Sequence, residues 1–451
     1  MSPEASNYIR SVAYPDYFHR EQSPVWTATV MAALGHSTPG RRGTRWCELG
    51  CGQGFSATLF AAVNPNMQFH GIDINPDHIR VARERAHRAG LSNVTFECAD
   101  LREVEERTGV YDFISCFGVL SWVGQDVRQS VIDFIGRNLA PGGVATLHYM
   151  SDPGGAVLRA FHSVFRALSD RQDPVGEGFK LLSSMRDAKA GFFQLYPVAS
   201  EALDALMRER PAYVAHEYLN PDFLPLPFGE VCQSMNASGL EWRGSANPLE
   251  NIDAFSIPGG AADAITEIPE GVLRETMKDL ARNQTRRVDI FTRKRNDVAS
   301  VKHIGLLDGF IWGLIPGTDL PADGVFASSI GPVEFDVRIL SALVSILRRR
   351  PARFSEMLRS EPFPGRAALL NQCLQVLLTA GIAHPVFPGF DSDAARKLNS
   401  ILRAAAAAGH DVPGLAAPAL ASGIGFDTVA LNMLYSGRGL TQKALLALLP
   451  A

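Results

Sequence analysis

WCELGCGQGF, residues 46–55, closes a hydrophobic run with one acid and three glycines on alternate positions, Gly50, Gly52 and Gly54. Residues without a β-carbon let a backbone turn sharply and approach a bulky ligand closely. A tight surface turn uses the same residues, so the surrounding chain must decide. A dinucleotide fingerprint places its third glycine where Phe55 stands. A phosphate loop ends in Gly-Lys-Ser or Gly-Lys-Thr, which is absent here. The loop suits a ligand bearing a carboxylate, a cation and a nucleoside. Backbone N–H groups would meet the carboxylate, and Glu48 would lie close to an ammonium or sulfonium group.

Working outward, residues 45–150 alternate between strand-like and helix-like segments. RWCELG, MQFHGIDI, NVTFECADL, YDFISCFG and GVATLHYM read as strands. FSATLFAAVN, PDHIRVARERAHRAG and VRQSVIDFIGRNLAPGG read as the helices among them. This order predicts a parallel sheet with helices on both faces and all strand C-termini on one rim. Asp73 in GIDINP lies 19 residues after Gly54 at such a strand end, where an acid takes ribose hydroxyls. Asp also caps helices, but Asn75 stands closer to the helix start. Asp100 in ECADL follows the third strand, where an acid can accept from an adenine amino group with Ala99 and Leu101 framing the ring; by itself such a residue is more often part of a turn.

The predicted organisation has five parts. Residues 1–44 are an N-terminal arm and cap helix, and 45–154 the first part of the core. A helical insertion spans 155–225, where apolar residues recur at helical spacing. The sheet resumes over 226–297 with LEWRGSAN and RRVDIFTRK as strands. A mainly helical, winged-helix-like domain occupies 298–451. Arg348, Arg349, Arg350 and Arg353 invite a DNA-reading interpretation, yet arginines at a helix C-terminus complement its macrodipole, and no nucleic-acid partner is expected. The composition, 46% hydrophobic and 20% charged with a net charge of -4 over 451 residues, gives no large field to attract nucleic acid or an anionic membrane. The most apolar candidate, 304–317, is broken by Asp308 and glycines, so no membrane span is expected. The first residues carry no apolar signal core, and the six cysteines include no CxxC pair. A cytoplasmic protein with free thiols and no metal is expected.

ELGCGQG, GIDINP, CADL and NLAPGG together resemble the successive motifs of class I S-adenosylmethionine-dependent methyltransferases. YDFISCFGVLSWV, AYVAHEYLNPDFLPLPFGEV and GSANPLENID resemble the subgroup with a methyltransferase regulatory domain, which is similar to the rickettsial lysine methyltransferases of outer membrane proteins. The resemblance implies an α/β, Rossmann-like sheet and S-adenosylmethionine as cofactor. It implies that Gly50, Cys51, Gly52 and Gly54 wrap the methionine part, with Glu48 beneath. Asp73 would hold the ribose with Ile74 beside the adenine, Asp100 and Leu101 the adenine edge, and Phe117 and Gly118 would line the sulfonium side. Many amine or amide methyltransferases carry a set such as NPPY after the fourth strand. This chain has CFGVLSWV instead, which leaves the acceptor atom open.

Methyl transfer is an in-line displacement, so its rate comes mainly from alignment. A lysine amine with an unperturbed pKa of about 10.4 must first lose a proton, and an apolar or aromatic channel favours its neutral form. Candidates for that channel are Tyr14, Tyr17, Trp122, His148, Tyr149, His216 and Tyr218, with ordinary packing the alternative for Tyr14, Tyr17 and Trp122. Tyr17, His148, Tyr149 and His216 are the catalytic candidates, His148 as a general base titrating near neutrality, although a lone histidine is more often structural. Asp253 in ENID reads as a turn residue. The leading expectation is a protein lysine N-methyltransferase with a protein substrate. The alternatives are a small-molecule or glycan O-/N-methyltransferase and a non-catalytic cofactor-binding regulator, against which the intact Glu48, glycine loop, Asp73 and Asp100 argue.

Overall fold

The computed structural model describes residues 14–104, 110–293 and 300–426. The first thirteen residues of the N-terminal arm, the 297/298 domain boundary and the C-terminal domain beyond 426 lie outside the described residues. Seven strands, β1 Arg45–Leu49, β2 Gln68–Asp73, β3 Val94–Cys98, β4 Tyr111–Cys116, β5 Leu139–Met150, β6 Leu240–Ser245 and β7 Arg286–Arg293, form one sheet. Its order is β3-β2-β1-β4-β5-β7-β6. β1 to β5 are parallel, but β7 runs antiparallel to both β5 and β6. The sheet is therefore mostly rather than wholly parallel. β7 enters from the rim where the parallel strands end, and so places its first residue, Arg286, on that rim.

The helices of the core are α1 Pro24–Ala33, α2 Phe55–Val63, α3 Pro76–Arg88 and α4 Gln125–Asn138. α3 starts where its sequence predicts: Asn75 caps it by accepting from Asp77 N–H, with Pro76 at the first position. All nine residues of α2 are buried, which fits a helix apolar all round and covered on every side. The sheet covers one side of it, and strands Gly414–Ala417 and Ser422–Gly425 with helix Asp393–Ala407 cover the other. The strand after α4 begins earlier than predicted, because Leu139 already pairs with Tyr111, and a register shift between Tyr111 and Phe113 absorbs Pro141 and the glycines.

Between β5 and β6 the chain forms α5 Ala156–Ala167, α6 Pro174–Asp187, α7 Gly191–Leu195, α8 Val198–Met207, α9 Pro211–Tyr218 and α10 Phe228–Ala237. α5 to α9 bury their own small core around Phe161, Phe165, Leu203 and Val214. α10 instead packs under the sheet with α4. The C-terminal region is mainly helical and carries a three-stranded antiparallel sheet of Ala352–Arg353, Ile311–Leu314 and Ala383–Pro385. Within its arginine cluster, Arg350 pairs with Glu356 at 2.8 Å, Arg348 with Asp319 at 3.3 Å, and Arg353 donates to Asp308 O at 2.8 Å. Asp253 is tied to Lys278 at 2.8 Å and to Arg274, a structural arrangement. Among the described residues no helix is long and apolar enough to cross a membrane, and no group of His, Cys, Asp and Glu is placed to hold a metal.

Candidate active site

A cavity of about 750 Å³ opens at the C-terminal rim of the parallel strands. Most predicted residues meet there: Glu48, Gly50, Cys51, Gly52, Asp73, Ile74, Asp100, Leu101, Phe117 and Gly118 line it, as do Tyr14, Tyr17, Trp122, His148 and His216. Three expected residues do not reach it. Side chains alternate along a strand, so Tyr149 points away from His148 into the opposite core, where its hydroxyl donates to Asp289 at 2.6 Å. Tyr218 packs in the core of the helical insertion. Gly54 is needed for packing instead: its φ is +67°, and a β-carbon there would lie 2.5 Å from Phe96 and 2.7 Å from Ala82. This is the close helix–strand approach expected one position later.

The glycine loop is rigidly tied. Gly50 and Cys51 N–H donate to Ile72 O at 2.8 and 3.0 Å, Gly52 N–H to Asp73 Oδ2 at 2.8 Å, and Gly54 N–H to Cys51 O at 2.9 Å. The N–H groups left for a ligand carboxylate are thus that of Gln53 in the loop and those of the first turn of α2, which have no intrahelical partner. Phe55 and Ser56 of that turn line the cavity. A β-carbon on Gly50 would fall 2.4 Å from Val119, whereas one on Gly52 would meet nothing within 4 Å. Glu48 is buried; Gln22 donates to its Oε1 at 2.6 Å, and its Oε2 is buried with no hydrogen-bond partner. Burial pushes its carboxyl up to about 8, against the Gln22 hydrogen bond and with help from the Asp73 charge.

At the end of β2, Asp73 accepts from Gly52 N–H and, through Oδ1, from Asn75 N–H at 2.8 Å. His78 Nδ1 stands 3.4 Å from the same oxygen, while its Nε2 accepts from Tyr14 N–H at 3.3 Å, which assigns the proton to Nδ1. Asp100 is gripped by Arg102, whose backbone N–H, Nε and Nη2 all donate to it at 2.7–3.1 Å. Arg102 also reaches Asp126 at 3.2 Å. Sequence reasoning missed this clamp, although an Asp and an Arg two apart in a tight turn are its signature.

On the opposite wall His148 lies between Phe117 and Trp122, its ring nearly parallel to both (16° and 14°) with centroids at 5.5 and 6.4 Å. Burial, then the charges of His19 and Arg286, lower its pKa to about 3. The imidazole is therefore neutral at physiological pH and too weak a base for the role expected of it. A second aromatic group covers the cavity from the arm and α9. Tyr14 meets His216 edge-on at 5.2 Å and Tyr17 at 5.8 Å, and Tyr17 meets Tyr213 at 5.9 Å. Tyr14 O–H donates to Glu217 Oε1 at 2.9 Å. His19, Gln22, Arg102, Glu209, Tyr213, Glu217 and Arg286 also line it and were not foreseen. Tyr213, His216 and Glu217 sit at i, i+3 and i+4 and so share one helix face, a pattern legible in YVAHEY once that helix is known to face the rim.

Two family models match the chain: a methyltransferase domain over residues 41–184 and a predicted methyltransferase regulatory domain over 210–293. Residues 41–184 are thus an S-adenosylmethionine-dependent methyltransferase domain, followed by the regulatory domain of such enzymes. The regulatory match begins at α9 and takes in β6 and β7, so the regulatory part supplies both cavity wall and sheet. An uncharacterized protein of Synechocystis is 26% identical over 95% of this chain and 87% of its own length. An uncharacterized protein of Rickettsia prowazekii is 23% identical over 69% of this chain and 57% of its own. PKMT2 of Rickettsia typhi, solved in complex with AdoHcy, superposes with a TM-score of 0.71 at 19% identity, covering 94% of this chain and 88% of that one.

The residues present fit S-adenosylmethionine. The buried, unpartnered Glu48 Oε2 matches an ammonium group, the open face of Gly52 leaves room for ligand atoms, and the α2 N-terminus matches a carboxylate. Asp73 stands at the strand end that holds a ribose in such sheets.

Proposed function

We propose that this methyltransferase acts on protein lysine amines. The observation that carries the reading is the second aromatic group, Tyr14, Tyr17, Tyr213 and His216, which extends the cavity beyond the cofactor-lining residues. The shared architecture with PKMT2, including the insertion and the C-terminal region, supports it. In this reading Glu48 and the first turn of α2 hold the two ends of the amino-acid part, Asp73 holds the ribose, and Asp100 with Leu101 meets the adenine.

When bound, the cofactor supplies an activated methyl group on a positively charged sulfur. The protein's part is to orient and to dehydrate. Phe117, His148 and Trp122 present a stacked, uncharged wall, and His148, neutral at pH 7, adds no repulsion against a cation. The tyrosine walls exclude water, which favours the neutral form of an amine, and hold it in line for attack.

The test is transfer of labelled methyl from S-adenosylmethionine into host lysate separated by size. Base-resistant label in the protein fraction is the expected result. Label confined to small molecules would overturn the lysine assignment in favour of a small-molecule or glycan acceptor.

A further inference from the structure

Glu217 stands out among the cavity residues because no part of cofactor binding calls for it. It is only 6% exposed yet lines the cavity. Tyr14 O–H satisfies one oxygen at 2.9 Å, and no Lys or Arg pairs with the carboxylate among the described residues. The charge that bears on it is Glu209, of its own sign, which lines the same cavity. Around it stand the rings of Tyr14, Tyr17, Tyr213 and His216. A buried carboxylate without a counter-ion is expensive to keep ionised, and burial pushes Glu217 up to about 8. Aromatic faces attract organic cations. An aromatic chamber open to the cavity, with a carboxyl kept neutral for want of a counter-ion, is therefore short of one component, a cation, whose arrival favours the ionised carboxylate.

We propose that Glu217 and the surrounding rings receive the acceptor's alkylammonium group, and that Glu217 is the catalytic residue that takes its proton before transfer. This rests on the reading of the acceptor as a lysine amine. The step balances within the pair: one ammonium N–H bond breaks, its electron pair stays on nitrogen, and an O–H bond forms on the Glu217 carboxylate. In water the two groups differ by about six pKa units, about 10.4 against about 4.3, and the proton stays on nitrogen. Desolvation raises the acid and lowers the amine, so the same burial that raises Glu217 narrows that gap. Tyr14, donating to Oε1, fixes the carboxylate while its ring faces His216.

The experiment measures binding of Nα-acetyl-lysine N-methylamide and its norleucine analogue, which lacks the ammonium, to the protein saturated with S-adenosylhomocysteine. Wild type is expected to favour the lysine compound by about tenfold or more, the scale of a hydrogen bond to a charged group. Glu217→Gln should abolish that preference while leaving S-adenosylmethionine affinity within about twofold on the same grounds, and Glu217→Asp should restore part of it. A preference that survives Glu217→Gln overturns the proposal. So does a parallel loss of cofactor affinity, which would assign Glu217 to the cofactor. An intact, Glu217-dependent preference with no label entering protein in the lysate would sink the protein-lysine reading alone and leave the ammonium chamber standing.

Discussion

Glu48→Gln separates the carboxylate's two effects, on stability and on cofactor binding. In the unliganded protein burial holds this carboxyl at about 8, against 4.5 for an exposed glutamate. Between those values the unfolded chain has released a proton that the folded one keeps, so stability falls as pH rises through the window. The slope is about 1.4 kcal/mol per pH unit, and integration over the window gives a ceiling of about 5 kcal/mol. Glutamine has the same shape, can still accept from Gln22, and does not titrate. Glu217, raised to about 8 by the same cause, contributes equally to both proteins and cancels. Urea unfolding of both proteins without cofactor should therefore give nearly equal stabilities at pH 5 and a growing advantage for the variant toward pH 9. Cofactor affinity should run the other way. An ammonium beside Glu48 needs the ionised form, so wild-type affinity rises from pH 6 to 8, while the variant binds about 10- to 150-fold more weakly through loss of a charge-assisted contact worth about 1.5–3 kcal/mol. A stability difference independent of pH would refute the burial argument, and unchanged cofactor affinity would refute the placement of the ammonium.

Three further substitutions probe other parts of the site. Asp73→Ala should weaken S-adenosylmethionine binding by about 1.5–3 kcal/mol, the worth of hydrogen bonds to a charged group; unchanged affinity in a folded variant, by titration calorimetry, would remove the ribose from this strand end. Gly54→Ala forces a β-carbon into Phe96 and Ala82 at a positive φ, and should cost about 1–3 kcal/mol from overpacking with backbone strain added; denaturant melts with no such loss would return Gly54 to a ligand-contacting role. Tyr149→Phe should destabilise by about 1–3 kcal/mol, since it takes a hydroxyl donor from buried Asp289. Its turnover should match wild type, and a large fall in kcat at full folding would place Tyr149 in the chemistry after all.

Legibility in the sequence followed the reach of each physical rule. Strand–helix alternation puts strand ends on one rim, so Glu48, Asp73 and Asp100 were locatable from their place after apolar runs. Gly54 was assigned to the ligand because a packing glycine and a ligand-facing glycine look alike in sequence; only the distance to Phe96 tells them apart. Tyr149 and His148 are neighbours, and which one faces the rim depends on strand parity that pairing with β4 and β7 fixes. Arg286 reaches the cavity because β7 is reversed, a property of topology rather than composition. Glu217 and Tyr213 were hidden for a related reason: α9 displays one face at the rim only through packing of the whole insertion. His148 reads as a base by residue type, whereas its surroundings, burial and the charges of His19 and Arg286, lower its pKa to about 3.

The complete burial of α2 ties the two ends of the polypeptide's architecture together. Its inner face belongs to the sheet, and its outer face is covered by residues more than three hundred positions later, where Gly423 approaches Leu59 so closely that a β-carbon would sit 2.7 Å away. A chain ending before Ser300 would leave Leu59 without that cover and would remove the hydrogen bonds that tie Ala62 O to Ser392 and Asn64 to Ala421 O, baring apolar surface on this side of the helix. The same helix begins at Gly54, where the loop ends. Its nine residues, about 13 Å long, therefore run directly from the glycine loop to the C-terminal strands that cover them.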